Sequence, residues 1–110
     1  MNPRRVHELM RKHFPAVDEA VRIWINVADR EGLREASLLS LLDEYIPTEP
    51  VLVAVHRKVG AALPKAEAIR LIREHLGQGI IRVSDRAFVG FVVVAVNGAA
   101  TGWRASLPDK

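Results

Sequence analysis

The chain contains no cysteine, which excludes a disulfide framework, a thiolate nucleophile and a cysteine-ligated zinc, and makes a reducing cytoplasm the expected location. Long apolar runs are also missing. The longest, Ala87 to Val96, is about half of the roughly 20 residues that a membrane helix requires, so no membrane association is expected. The first residues carry Arg4, Arg5, Arg11 and Lys12 but lack the apolar stretch of a secretory signal. No internal repeat, low-complexity tract or linker divides the sequence. What remains is an ordinary globular composition, 49% hydrophobic and 26% charged over 110 residues, sufficient for one core and one domain.

Charge is distributed unevenly. The net +3 separates into a basic start, an acidic middle and a basic second half. In residues 1–14 four cations face only Glu8, whereas in residues 15–50 eight acids face Arg22, Arg30 and Arg34. In residues 51–110 nine cations face Glu67, Glu74, Asp85 and Asp109. The basic half suits a phosphate backbone, while the acidic middle suits a positively charged protein.

Periodicity predicts five helices followed by extended chain. Val6, Leu9, Met10 and His13 recur at helical spacing over Pro3–His13. Val17, Ala20, Val21, Trp24, Val27 and Ala28 mark a face of a second helix, 15–30, stopped by Gly32. A dense leucine stripe, Leu38, Leu39, Leu41 and Leu42, predicts a third over 34–45. Thr48-Glu49-Pro50 has the form of a helix start and predicts a fourth over 51–63, although Val51, Val53 and Val55 are β-branched. Pro64 opens a fifth helix with an inner face of Ala68, Ile69, Ile72 and Leu76, stopped by Gly77. A short strand is predicted over 80–83, a long one over 88–96 closed by the hairpin signal Asn97-Gly98, and a third over roughly 100–106. The expected fold is α+β, about five helices and then a small antiparallel sheet.

In its order of parts, the span Leu38 to Val96 resembles the winged helix-turn-helix superfamily. LLSLLDEYI, PVLVAVHRKVG and PKAEAIRLIREHL correspond to its three helices, and GIIRVSD with AFVGFVVV to its wing. The resemblance implies a winged-helix-like unit at 34–96, preceded by a helical pair at 1–32 and followed by a strand and tail at 97–110. It also implies a small DNA-binding transcriptional regulator. Lys65, Arg70 and Arg73 would approach the major groove, with Arg82 and Arg86 on the wing. The chain departs from the family pattern at His56, where a small residue is usual, and in the long turn Gly60 to Pro64.

Phe88 to Val96 does not alternate apolar with polar residues, as a strand with one wet face would. Both its faces must be covered, either by N-terminal helices or by a second copy in a homodimer. Gly90 within it reads as a bulge.

No motif specifies a reaction. His7, His13, His56 and His75 lack metal-ligand spacing, and Gly77-Gln78-Gly79 leaves a helix for a strand, the reverse of a phosphate loop. No serine occupies a nucleophile elbow. Trp24 is expected in the core, and Trp103 either packs over the sheet or anchors a partner. The expectation is a non-enzymatic binding module without metal or cofactor. Its partner is either nucleic acid, held by the five cations above, or a basic protein bound through Asp29, Glu31, Glu35, Asp43, Glu44 and Glu49, as a small inhibitor or immunity-type protein would bind.

Overall fold

The computed structural model describes residues 2–15 and 23–105. Among them are three helices, a six-stranded antiparallel sheet and a small hairpin. Helix α1 (Pro3–His13) is followed by β1 (Ile25–Asn26), β2 (Ala28–Asp29) and β3 (Gly32–Leu33). Helix α2 (Glu35–Tyr45), strands β4 (Val51–His56) and β5 (Val59–Leu63) and helix α3 (Lys65–His75) come next. Strands β6 (Ile81–Ser84), β7 (Gly90–Val94) and β8 (Ala99–Arg104) complete the order. The sheet runs β1-β8-β7-β6-β4-β5, and β2 pairs only with β3. No helix among the described residues is long and apolar enough to cross a membrane.

This architecture corrects the expectation of about five helices, a small sheet and a winged-helix-like order. The segment expected as the fourth helix is the β4–β5 hairpin, turning on Arg57-Lys58 with His56 opposite Val59. Val51 to Val55 are all buried, because β4 is a central strand covered on both faces. A strand of that kind is a continuous apolar run without alternation, which periodicity alone does not separate from a helix. β-branching decided the outcome there. Of the helix expected over 15–30, residues 16–22 lie outside the described residues, and the remainder forms β1 and β2. The strands assigned to a two-stranded wing, β6 and β7, instead lie inside the large sheet.

The helices α1, α2 and α3 follow the predicted periodicity closely. Asn2 caps α1 by accepting a hydrogen bond from the Arg5 amide at 2.8 Å. Gly77, at φ +91°, follows the end of α3 as a glycine stop should. The Asn97-Gly98 hairpin also forms, joining β7 to β8.

The two sheet faces are covered differently. On one, α2 lies over β7 and β8 while α3 lies over β4 and β5. Val51, Val53, Ile81, Val83, Val92 and Val94 meet Leu38, Leu42, Ala68 and Ile72 there in one aliphatic core. On the other, α1 sets Val6 and Met10 on Leu52 and Ala54. Beside them Phe91, Val93 and Trp103 form an aromatic cluster against which Phe14 and Trp24 pack. Strand β7 is thus covered on both faces within the chain, which meets by itself the need that had suggested a homodimer across 88–96.

Gly90 is not a bulge; it pairs with Arg104 at the start of β7. Its lack of a side chain serves α2 instead. A Cβ there would lie 1.9 Å from the Tyr45 carbonyl oxygen, and one on Gly102 would lie 2.4 Å from the Tyr45 ring. Two glycines on neighbouring strands therefore make the seat for the last residue of α2.

Candidate functional site

Helices α2 and α3 pack side by side on one face of the sheet, and their charged residues show that they run antiparallel. Glu35, in the first turn of α2, pairs with Arg73, in the last turn of α3. Asp43, near the end of α2, pairs with Lys65, the first residue of α3, at 2.8 Å. Between these ion pairs runs a groove of about 850 Å³. Its floor is Ala36 and Leu39 from α2 with Ala66 and Ile69 from α3, and Arg70 stands on its rim. Leu39 is 39% exposed, a large aliphatic side chain left open at the middle of the groove.

One end is built with more care than the other. Lys65 is 7% exposed, so burial of its ammonium requires a partner, which the Asp43 carboxylate supplies. The Lys65 backbone N–H also donates to Glu49 at 2.8 Å. Pro64, the residue before α3, has no capping side chain of its own, and Glu49 from the preceding loop provides the acceptor. The acid in the supposed helix-start motif Thr48-Glu49-Pro50 therefore caps a helix 16 residues further along. Pro47 closes this end of the groove.

The cations expected to hold nucleic acid do not form one surface. Lys65, Arg70 and Arg73 share the groove, but Lys65 and Arg73 are ion-paired with acids. Arg82 lies opposite Ala54 and Val93 on the sheet face that α1 covers, and Arg86 is exposed in the turn between β6 and β7. The acidic alternative is divided as well. Glu35, Asp43 and Glu49 line the same groove as the cations. Asp29 and Glu31 belong to the β2–β3 hairpin, where Asp29 accepts from the Glu31 amide at 2.8 Å and from Arg34 at 3.1 Å. The backbone N–H and the guanidinium, in that order, lower the Asp29 pKa. Glu44 is exposed at the end of α2. As acceptor for the neighbouring Tyr45 hydroxyl it raises that pKa, and partial burial adds to the rise.

The groove floor was not foreseen. Its one signal in the sequence was the width of the α2 leucine stripe. Leu38, Leu41 and Leu42 fill the side that meets the sheet, so a fourth leucine at position 39 must point elsewhere. Trp103 is buried against Phe91 and Phe14, and Trp24 is half-buried beside that cluster. Among the described residues no three His, Asp or Glu side chains converge as metal ligands.

Comparison of the chain with family models, with curated proteins and with solved structures gave no match.

Proposed function

We propose that the chain is a non-enzymatic binding module that docks a protein partner through the groove between α2 and α3. One observation carries this reading: three cations of the basic half, Lys65, Arg70 and Arg73, and three acids of the middle stretch, Glu35, Asp43 and Glu49, line the same groove, and two ion pairs cross it. A polyanion laid there would meet Glu35, Asp43 and Glu49 as well as the cations, and the phosphate attraction that drives nucleic-acid binding would largely cancel. A strongly basic partner would meet the opposite difficulty. A protein surface brings apolar groups together with charges of both signs, and the exposed Leu39, Ala36 and Ala66, lying over the buried Ile69, give such a surface area to bury.

The test compares three forms of the protein as quantitative bait in extracts of its source cells. Leu39→Asp places a charge on the groove floor, and Arg82→Glu with Arg86→Glu inverts cations outside the groove. A partner retained by wild type and by the Arg82/Arg86 form but lost by Leu39→Asp is the expected result. Duplex DNA is titrated in parallel at low and physiological salt. Saturable, salt-sensitive DNA binding that is lost in the Arg82/Arg86 form would overturn the reading in favour of a DNA-binding regulator.

A further inference from the structure

If the groove docks a protein, its geometry also specifies the shape and charge of what it docks. Glu35 and Asp43 are eight residues apart on α2, as are Lys65 and Arg73 on α3. At the helical rise the two cross-helix ion pairs therefore stand ~12 Å apart, a little over two helical turns. Each helix lines the groove with residues spaced three, four and seven apart: Ala36, Leu39 and Asp43 from α2; Ala66, Ile69, Arg70 and Arg73 from α3. That spacing is the stripe one helix offers to another. Alanine at one end of each stripe keeps the walls low enough for close approach.

The floor also discriminates against extended chain. An extended segment lying on Leu39, Ala36 and Ala66 would bring unpaired N–H and C=O groups onto aliphatic surface. The backbones of α2 and α3 are hydrogen-bonded internally and offer no strand edge to receive them. A helix satisfies its own backbone and presents only side chains. Charge then selects among helices. Glu35, Asp43, Glu49, Lys65 and Arg73 are all engaged with one another or with a backbone amide. Arg70 is the charged lining residue that no acid reaches within ion-pair distance among the described residues. It stands next in sequence to Ile69 at the middle of the groove.

We propose that the groove accepts an amphipathic helix of a partner protein, laid along α2 and α3, with apolar side chains one turn apart on Ala36 and Leu39 and one carboxylate against Arg70. The inference rests on the docking reading above. Its probes are three synthetic peptides of about 15 residues, the length at which a helix-prone sequence begins to hold a helix alone. The first is alanine-rich, with two leucines one turn apart and a glutamate beside them; the second carries lysine in place of the glutamate; the third keeps the glutamate but has two central prolines. Binding is followed through the methyl resonances of Ala36 and Leu39 and by titration.

The glutamate peptide should shift those methyls and bind about tenfold more tightly than either of the others, the scale of one charge-assisted contact. In Arg70→Glu the preference should invert toward the lysine peptide, and in Arg70→Gln it should vanish. Arg70 is exposed, so neither substitution threatens the fold. Equal binding of the glutamate and lysine peptides, binding of the proline peptide as tight as that of the helix, or unmoved methyls would overturn the proposal. Capture of the natural partner separates the two levels. Loss with Leu39→Asp but retention with Arg70→Glu would overturn the carboxylate anchor while leaving the docking reading intact; retention by both would overturn both.

Discussion

The two faces of the sheet are sealed in different ways. Over one, two antiparallel helices are joined by ion pairs at both ends and continuous with a large aliphatic core, and the end of α2 is seated on two glycines. Over the other, one helix rests on Leu52 and Ala54, and its end is held by Phe14 set edge-on to Phe91 and Trp103. Rigidity and the proposed docking groove coincide on the first face, because a groove holds its shape only if both walls are fixed. The second face is a simpler cover, closed mainly by apolar contact.

The strongest way to break this contrast is Gly90→Ala. The new methyl would lie within 1.9 Å of the Tyr45 carbonyl oxygen, a clash with backbone that no rotamer relieves, and should cost about 3 kcal/mol or more in denaturant unfolding. A cost below about 1 kcal/mol would mean that the end of α2 is free to move and that the groove lacks a fixed wall. Next comes Met10→Ala on the opposite face. Met10 is 2% exposed, and its truncation should cost about 2 kcal/mol. If α1 is the looser cover, hydrogen exchange should accelerate in α1 while α3 stays protected; equal acceleration in both would dissolve the distinction.

The buried end of the groove supplies a smaller, asymmetric effect. Asp43→Ala leaves the Lys65 ammonium buried without its carboxylate and should cost about 1–2 kcal/mol, less than a fully buried pair would because Asp43 is 58% exposed. Lys65→Met removes the charge together with the need for a partner and should change stability by less than about 1 kcal/mol. Equal costs for the two would show that the pair, rather than the burial, sets the energy.

The smallest effects are in pH. Asp29 has a lowered pKa in the folded chain, so its contribution is present above the unfolded value and is lost as pH falls through the depressed folded value. Tyr45 has a raised pKa, so its contribution is complete below the unfolded value of about 10 and is lost as pH rises through the raised folded one. Carboxyl and ring resonances followed by NMR should show Asp29 titrating below an ordinary aspartate and Tyr45 above an ordinary tyrosine. An ordinary midpoint for Asp29 would mean that the β2–β3 hairpin does not hold its contacts in solution.

What was legible in the sequence follows from the physics of each segment. Helices α1, α2 and α3 bury one face and leave the other wet, so Val6 with Met10, Leu38 with Leu42, and Ile69 with Ile72 wrote a helical period into the chain. Strand β4 has two dry faces and therefore no period, and Thr48-Glu49-Pro50 imitated a helix start while its glutamate was reserved for α3. Lys65, Arg70 and Arg73 could be placed on one helix by spacing alone. Their acidic neighbours, Asp43 and Glu35, lie 22 and 38 residues away in sequence, beyond any local pattern.

By itself, then, the sequence determined where three helices begin and end, that the C-terminal third is extended, and that its charges lie in alternating blocks, because these depend on neighbours within a few residues. Only the tertiary structure decided that Val51–Leu63 is a hairpin at one edge of the sheet, and that Glu35, Asp43 and Glu49 of the acidic block meet Lys65, Arg70 and Arg73 of the basic block across a single groove. The reason is the same in both cases. Which face of a segment is dry, and which charge stands opposite which, is set by elements distant in the chain, and a linear pattern carries no record of them.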